Sequence, residues 1–149
     1  LLEFGKTLAG QIQPGDIVGL EGGLGAGKTT LIKSICAAWG IDPQDVTSPT
    51  YVYHHQYVGE VVVDHMDLYR IVDEPSLYHM GLSDCLNTSS IVLIEWINRF
   101  PSFANPTLTI KLVLDDEESR DLHIHDGQLE GSRLESFRQA LSPWQKESA

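Results

Sequence analysis

Gly22-Gly23-Leu24-Gly25-Ala26-Gly27-Lys28-Thr29 sets two glycines, a lysine and a hydroxyl at the spacing G-x-x-x-x-G-K-[ST], the Walker A phosphate loop. Each residue type has a chemical reason to be there. Glycines let successive backbone N–H groups turn inward around an anion, and a helix starting at Lys28 adds the positive end of its dipole. Lys28 can reach the β and γ phosphates of a nucleotide, and the Thr29 hydroxyl can serve Mg²⁺. That cation keeps several waters and takes one or two protein oxygens besides the phosphates. Gly25, Ala26, Gly27, Lys28, Thr29 and Thr30 are therefore the expected ATP-binding residues.

Such a site also needs an acid at the end of a neighbouring strand, the Walker B position, and Asp64, Asp67 and Glu95 compete for it. Glu95 closes the apolar run Ile91 to Ile94 and is the first choice for Mg²⁺ or its waters. Asp67, in His65-Met66-Asp67-Leu68-Tyr69-Arg70, comes next, holding the metal through its waters or orienting the attacking water. Asp64 reads as structural, and His65 as a satisfied core or surface histidine. The pair His54-His55 alternates across a strand and cannot hold one metal from one face. Thr47-Ser48-Pro49-Thr50-Tyr51 has two readings: hydroxyls around a rigid proline that close over a γ-phosphate, or a plain turn.

The elements that must position these residues follow from periodicity. Leu1, Phe4, Leu8 and Ile12 predict an amphipathic helix over Leu2 to Gln13, stopped by Pro14-Gly15. Asp16 to Glu21 predicts a buried strand running into the glycine loop. A helix over Lys28 to Trp39 follows, with Gly40 where a C-terminal cap is expected. The strand–loop–helix order is the context that a phosphate loop requires. Thr50 to Val58 and Glu60 to His65, separated by Gly59, suggest a hairpin. Pro75 to Leu82 is a short helix candidate, and Ile91 to Glu95 reads as a central strand buried on both faces. Thr107 to Leu114 and Arg120 to His125 form a second alternating pair around the acidic turn Asp115 to Glu118. Leu129, Leu134, Phe137 and Leu141 mark a last helix. The expected organisation is a single domain over 1–141 with a disordered tail over 142–149.

Composition narrows the class. A chain of 149 residues with 42% apolar content suits one domain with a core, and 21% charged residues exclude a disordered or low-complexity chain. Ten Lys and Arg against 21 Asp and Glu give a net charge of −11, which disfavours unaided binding of RNA or DNA. Cys36 and Cys85 stand outside any CxxC or Cys/His metal spacing, so a reducing cytoplasm is expected. No apolar run approaches the roughly 20 residues that span a bilayer. The first residue is Leu rather than Met, which points to a start upstream of Leu1, and no export signal is visible near it.

Taken together, GGLGAGKTT (22–30), TSPTY (47–51), HMDLYR (65–70) and IEW (94–96) resemble the bacterial P-loop ATPase family of tRNA threonylcarbamoyladenosine modification, known as TsaE or YjeE. The resemblance covers about Gly5 to Trp96 and is weak beyond it. It implies a P-loop NTPase-like three-layer α/β/α fold with a mixed, largely parallel sheet. It also implies a cytoplasmic Mg²⁺-dependent ATPase, weak or partner-dependent, that supports the making of N6-threonylcarbamoyladenosine (t6A) at position 37 of tRNA. The implied partners are the t6A transferase TsaD and its dimer partner TsaB, with tRNA met only indirectly and no membrane. By the same resemblance Lys28, Asp67 and Glu95 are catalytic, Thr29 and Glu95 hold Mg²⁺ with Asp67 assisting, Thr47, Ser48 and Thr50 sense the γ-phosphate, and Trp96 contacts nucleotide or partner. The family usually reads G-D-L-G-A-G-K-T; Gly23 replaces its acid here.

Two other classes share the phosphate loop. A small-molecule kinase would need a second substrate pocket and an arginine-rich lid, whereas Arg70, Arg99, Arg120, Arg133 and Arg138 are scattered. A binding module that loads nucleotide without hydrolysing it would carry the same metal-binding acids. A GTPase is disfavoured because no [NT]KxD motif occurs.

Overall fold

The computed structural model describes residues 2–23, 25–86, 89–114 and 120–145. In chain order the elements are α1 (Leu2–Ala9), β1 (Ile17–Glu21), α2 (Lys28–Ala37), β2 (His54–Val58), β3 (Val62–Asp67), α3 (Glu74–His79), β4 (Ile91–Glu95), β5 (Leu108–Leu114), β6 (Arg120–His125) and α4 (Gly131–Leu141). The strands form one six-stranded sheet in the order β2-β3-β4-β1-β5-β6. Pairs β3/β4, β4/β1 and β1/β5 are parallel, while the β2/β3 and β5/β6 hairpins add antiparallel edges.

Both faces of this sheet are covered, which is why its central strands read as continuous apolar runs. On β4, Ile91 and Leu93 point into a core shared with Leu8, Leu31, Ile35 and Phe137, so α1, α2 and α4 lie on that face. Val92 and Ile94 point the other way, into a second core with Met66, Leu77, Leu82, Ile97 and Phe103. The result is the expected α/β/α layering. Helix α4 is tied down by Arg133, which donates to the Asp16 carboxylate and to the Gln11 carbonyl.

Several elements differ in their ends from the periodicity reading, among them α2, which ends at Ala37 rather than Trp39, and α3, which ends at His79 rather than Leu82; three others differ for a plain local reason. Helix α1 stops at Ala9 because Gly10 and the approach to Pro14 favour turns; Ile12 is still buried, but from a turn. Strand β2 begins at His54 rather than Thr50, because Tyr53 N–H donates to Pro49 O at 2.6 Å and closes a turn, with Tyr53 at φ 68°. Strand β3 runs to Asp67, drawn two residues further than expected by its parallel ladder with β4. The acidic turn expected over Asp115 to Glu118 lies outside the described residues. Of the tail, Ser142–Trp144 form a 3-10 turn whose Trp144 ring meets Phe4 edge-on at 5.7 Å, and 146–149 lie outside the described residues.

Helices α1 and α2 cross closely at Gly5, where a Cβ would stand 2.5 Å from Ser34 Cβ and 3.0 Å from the Ser34 carbonyl carbon. Such a clash cannot be relieved by rotating a side chain. Gly5→Ala is therefore expected to destabilise the protein by about 1–3 kcal/mol, read as a lowered urea midpoint with unchanged slope.

Candidate nucleotide site

The site is assembled where parallel strands end. Strand β1 stops at Glu21 and the chain turns through Gly22, whose φ of 147° and 2.8 Å approach of a would-be Cβ to Leu112 O leave room for glycine only. Gly27, at φ 103°, caps α2, so Lys28 and Thr29 open that helix with its N–H groups facing the loop. On the neighbouring strands the register sets Leu20 beside Glu95 and Asp67 beside Glu95, which brings both acids to the level of the loop. Gly25, Lys28, Thr29, Thr30, Ser48, Thr50, Asp67, Tyr69, Glu95 and Trp96 are among the residues lining a cleft of about 280 Å³. A larger, shallower hollow of about 580 Å³ runs along Gly40 to Asp45 and His55 to Val58, but it gathers no phosphate loop, lysine or buried carboxylate.

Lys28 is only 6% exposed. Its Nζ donates to Gly22 O at 2.7 Å and Gly23 O at 3.1 Å, and lies 4.4 Å from the centre of the Trp96 ring. Burial pushes its pKa below the usual lysine value, while the carboxylates of Glu95 and Asp67 pull it back. Trp96 adopts a left-handed φ of 61°, and its N–H bonds Leu20 O at 2.9 Å. A non-glycine residue held there costs on the order of 1–3 kcal/mol. Here it turns the ring against Tyr69, with centroids 4.8 Å apart and planes tilted by 36°, and over the lysine.

Asp67 fastens the hydroxyl segment to the site. Its Oδ2 accepts from Thr50 Oγ1 at 3.1 Å and Ser48 Oγ at 3.4 Å, and its Oδ1 from Tyr69 N–H at 2.8 Å. Ser48 and Thr50 thus stand in the cleft, whereas Thr47, grouped with them by sequence, lies beyond its wall with Oγ1 3.4 Å from His55 Nδ1. The structure sets Thr47 apart from that grouping: Ser48 and Thr50 turn their hydroxyls to Asp67, while Thr47 turns its own toward His55.

Glu95 is 3% exposed, and its Oε2 accepts from His65 Nε2 at 2.7 Å. The other ring nitrogen of His65 is 2.9 Å from the Tyr57 hydroxyl, which also lies 3.2 Å from Thr47 O. His65 Nε2–H donates to the Glu95 carboxylate, and the Tyr57 hydroxyl, which donates to the Thr47 carbonyl, stands at His65 Nδ1. Burial raises the Tyr57 phenol to about 12, so it keeps that proton. A histidine read as an ordinary core residue and a tyrosine the motifs did not single out therefore join Glu95 to the segment beside the cleft. Period-two spacing could have shown it, since His65 and Asp67 share a face of β3 and Tyr57 is two residues from His55 on β2. His65→Phe would take from buried Glu95 its hydrogen-bond donor and from Tyr57 one of its partners. Stability should fall by about 1–3 kcal/mol, measured by urea denaturation.

The donor set fits a magnesium nucleotide: a hydroxyl and two carboxylates are hard oxygen ligands, and a glycine loop with a desolvated lysine is an anion cradle. Gly23 is exposed with open space around a would-be Cβ, so no steric reason excludes the acid usual at that position. Asp64 stands mid-strand on the opposite face of β3, bonded to His54, Gln56 and Ser90, away from this cleft.

A glycine loop between strand and helix, with a lysine and two acids at the carboxyl ends of adjacent parallel strands, defines a P-loop NTPase-like protein. The family model described as "Threonylcarbamoyl adenosine biosynthesis protein TsaE" matches residues 1–122. The chain belongs to the TsaE family. It is 30% identical over 122 residues to the tRNA threonylcarbamoyladenosine biosynthesis protein TsaE of Treponema pallidum, covering 81% of this chain and 90% of that one. It is 42% identical over 103 residues to the Haemophilus influenzae protein of the same name, covering 64% of each. The crystal structure of Bacillus subtilis YdiB superposes with a TM-score of 0.72 at 26% identity, over 96% of this chain and 87% of that one. The likeness thus extends past Trp96 into the β5/β6 hairpin, further than the motifs alone reach. Membership places the chain in t6A biosynthesis. No helix among the described residues is long and apolar enough to cross a membrane.

Proposed function

We propose that this chain binds Mg·ATP in the cleft and hydrolyses it, slowly or only when docked, as the accessory ATPase of the t6A transferase complex. The observation that carries this reading is convergence: Lys28, Thr29, Asp67 and Glu95 come from three separate segments and line one cleft. In this reading the loop N–H groups and Lys28 hold the phosphates, and Thr29 and Glu95 hold Mg²⁺, with Asp67 acting through the metal's waters or orienting the attacking one. Mg²⁺ supplies charge neutralisation at the β and γ oxygens. Ser48 and Thr50, already bonded to Asp67, are placed to register a γ-phosphate, and Trp96 to cover the nucleotide or meet a partner.

A kinase lid is disfavoured by where the arginines go. Arg99 donates to the Leu68 and Tyr69 carbonyls, Arg133 pairs with Asp16, Arg138 pairs with Asp126, and Arg70 lies over the Tyr51 ring. None of these four lines the cleft. The net charge of −11 agrees with a subunit that docks on protein, here TsaD and TsaB by family likeness, and meets tRNA indirectly.

The test is phosphate release from Mg·ATP by the chain alone and with purified transferase complex and unmodified tRNA, with modified adenosine counted in the same samples. Hydrolysis and repeated tRNA modification that rise together support the proposal. Hydrolysis or phosphoryl transfer indifferent to those partners overturns it in favour of a stand-alone ATPase or kinase, and binding without hydrolysis in favour of a loading module. Within the same assay, Asp64→Asn should leave turnover within about twofold of the parent, and Asp67→Asn should lower it about tenfold or more. Comparable losses would reverse the assignment of the two acids.

A further inference from the structure

Asp64, set apart from the nucleotide cleft, has company that the sequence spacing conceals. On the hairpin, His54 and Gln56 share its face of the sheet, with Gln56 directly opposite Asp64 in the register. The 3-10 turn Leu82–Cys85 brings a thiol down onto the same spot. His54 Nε2 lies 2.7 Å from Asp64 Oδ1 and 3.7 Å from Cys85 Sγ, and the three donor atoms are all within 4.8 Å of one another. They come from three positions 10 and 21 residues apart in sequence, which no short motif would pair.

We propose that His54, Asp64 and Cys85 form a binding site for a divalent transition ion of borderline softness, with Zn²⁺ the best match. The chemistry of the set decides the class. One imidazole, one thiol and one carboxylate suit Zn²⁺, whereas Mg²⁺ and Ca²⁺ avoid sulfur. Tetrahedral zinc bonds of about 2.0–2.3 Å place neighbouring donor atoms roughly 3.3–3.6 Å apart. The 3.7 Å His54 to Cys85 separation is within about 0.1 Å of that range, and the His54 to Asp64 pair, at 2.7 Å, must open by about half an ångström, a modest adjustment at this scale.

The carboxylate is also built to serve. Asp64 is 3% exposed, and Ser90, itself buried, donates to Oδ2 at 2.6 Å, while Gln56 donates to Oδ1 at 3.1 Å. Outer hydrogen bonds of this kind orient the oxygen that faces a metal. His54, with its side chain 29% exposed, leaves the fourth position open to water. The bound ion would clip the β2/β3 hairpin to the turn that precedes β4. It lies on the face of β3 opposite His65 and Asp67, so the site is separate from the proposed Mg²⁺ site and does not rest on the nucleotide reading.

The test is titration of the reduced full chain with Co²⁺, followed by displacement with Zn²⁺. One equivalent of Co²⁺ should produce a thiolate-to-cobalt charge-transfer band together with the d–d spectrum of four-coordinate cobalt. Zn²⁺ should abolish both. Cys85→Ser should lose the charge-transfer band, and Asp64→Asn and His54→Ala should each weaken Zn²⁺ binding about tenfold or more. Cys36→Ala and Lys28→Ala should keep the band, since neither residue belongs to the site. A second readout uses the unaltered protein: Zn²⁺ should slow alkylation of Cys85 by iodoacetamide about tenfold, located by peptide mass, without protecting through Cys36. The absence of a charge-transfer band and of Cys85 protection at micromolar to millimolar metal overturns the proposal, as does a band insensitive to Asp64→Asn and His54→Ala.

Discussion

Lys28→Ala is expected to reduce ATP turnover by about a hundredfold to a thousandfold, the range seen when a preorganised charge donor is removed from a transition state. Nucleotide affinity should fall as well, because the ammonium is placed for ground-state phosphates too. The fold should survive. Among the described residues Lys28 makes no salt bridge, and its hydrogen bonds go to the loop carbonyls Gly22 O and Gly23 O, which water can satisfy in its absence. Its pKa is lowered by burial, so the charged form is disfavoured in the folded protein relative to the unfolded chain. The penalty is fully present below the folded pKa and fades as pH rises through the window up to the ordinary lysine value. At neutral pH, then, the substitution should leave the melting temperature unchanged or raised while activity disappears. Phosphate release and thermal melting on one preparation check both halves. Activity within tenfold of the parent would remove the lysine from the mechanism.

Glu95→Gln is expected to separate binding from hydrolysis. The substitution removes the charge proposed to hold Mg²⁺ but retains an oxygen able to accept the His65 Nε2–H bond, now 2.7 Å long, so the buried chain from Glu95 through His65 to Tyr57 stays connected. Stability should change little. Mg²⁺-dependent hydrolysis should fall about a hundredfold, because a metal ligand contributes several kcal/mol of charge stabilisation at the reacting oxygens. ATP affinity should fall much less, since the loop and Lys28 still hold the phosphates. A magnesium titration of phosphate release, set beside nucleotide binding measured by calorimetry, reads the difference. Equal rates for the variant and the parent would show that Glu95 does not hold the metal. Joint inspection with His65→Phe adds a distinction: that variant should lose stability, whereas Glu95→Gln should not.

The phosphate loop and its setting were legible because local rules decide them. Glycines at 22, 25 and 27 serve backbone conformations, and the apolar runs before and after them carry the periods of strand and helix. Ile91 to Glu95 was read to the residue, since a strand buried on both faces has few alternatives. Helix α3 begins at Glu74, one residue before the expected Pro75, because the Asp73 side chain caps it at Ser76 N–H. The start of β2 was misplaced because β propensity in Tyr51, Val52 and Tyr53 yields to a turn closed by a Pro49 carbonyl, and Tyr51 and Val52 end in solvent.

The amino-acid sequence by itself determined the class of this protein: a strand, a glycine loop and a helix form from near neighbours, and their residue types admit little besides phosphate chemistry. Motif order carried it further, to the TsaE family. Sequence reasoning ranked Glu95 and Asp67 ahead of Asp64, and the tertiary structure shows which of them line the cleft. The parallel β3/β4 register puts Asp67 level with Glu95 and leaves Asp64 mid-strand on the other face. The tertiary fold also decided the bonds among Glu95, His65, Tyr57 and Thr47, and the meeting of His54 and Asp64 with Cys85. These contacts join residues up to 31 apart in sequence, and register is set by long-range packing of whole faces, which no local pattern of residue types encodes.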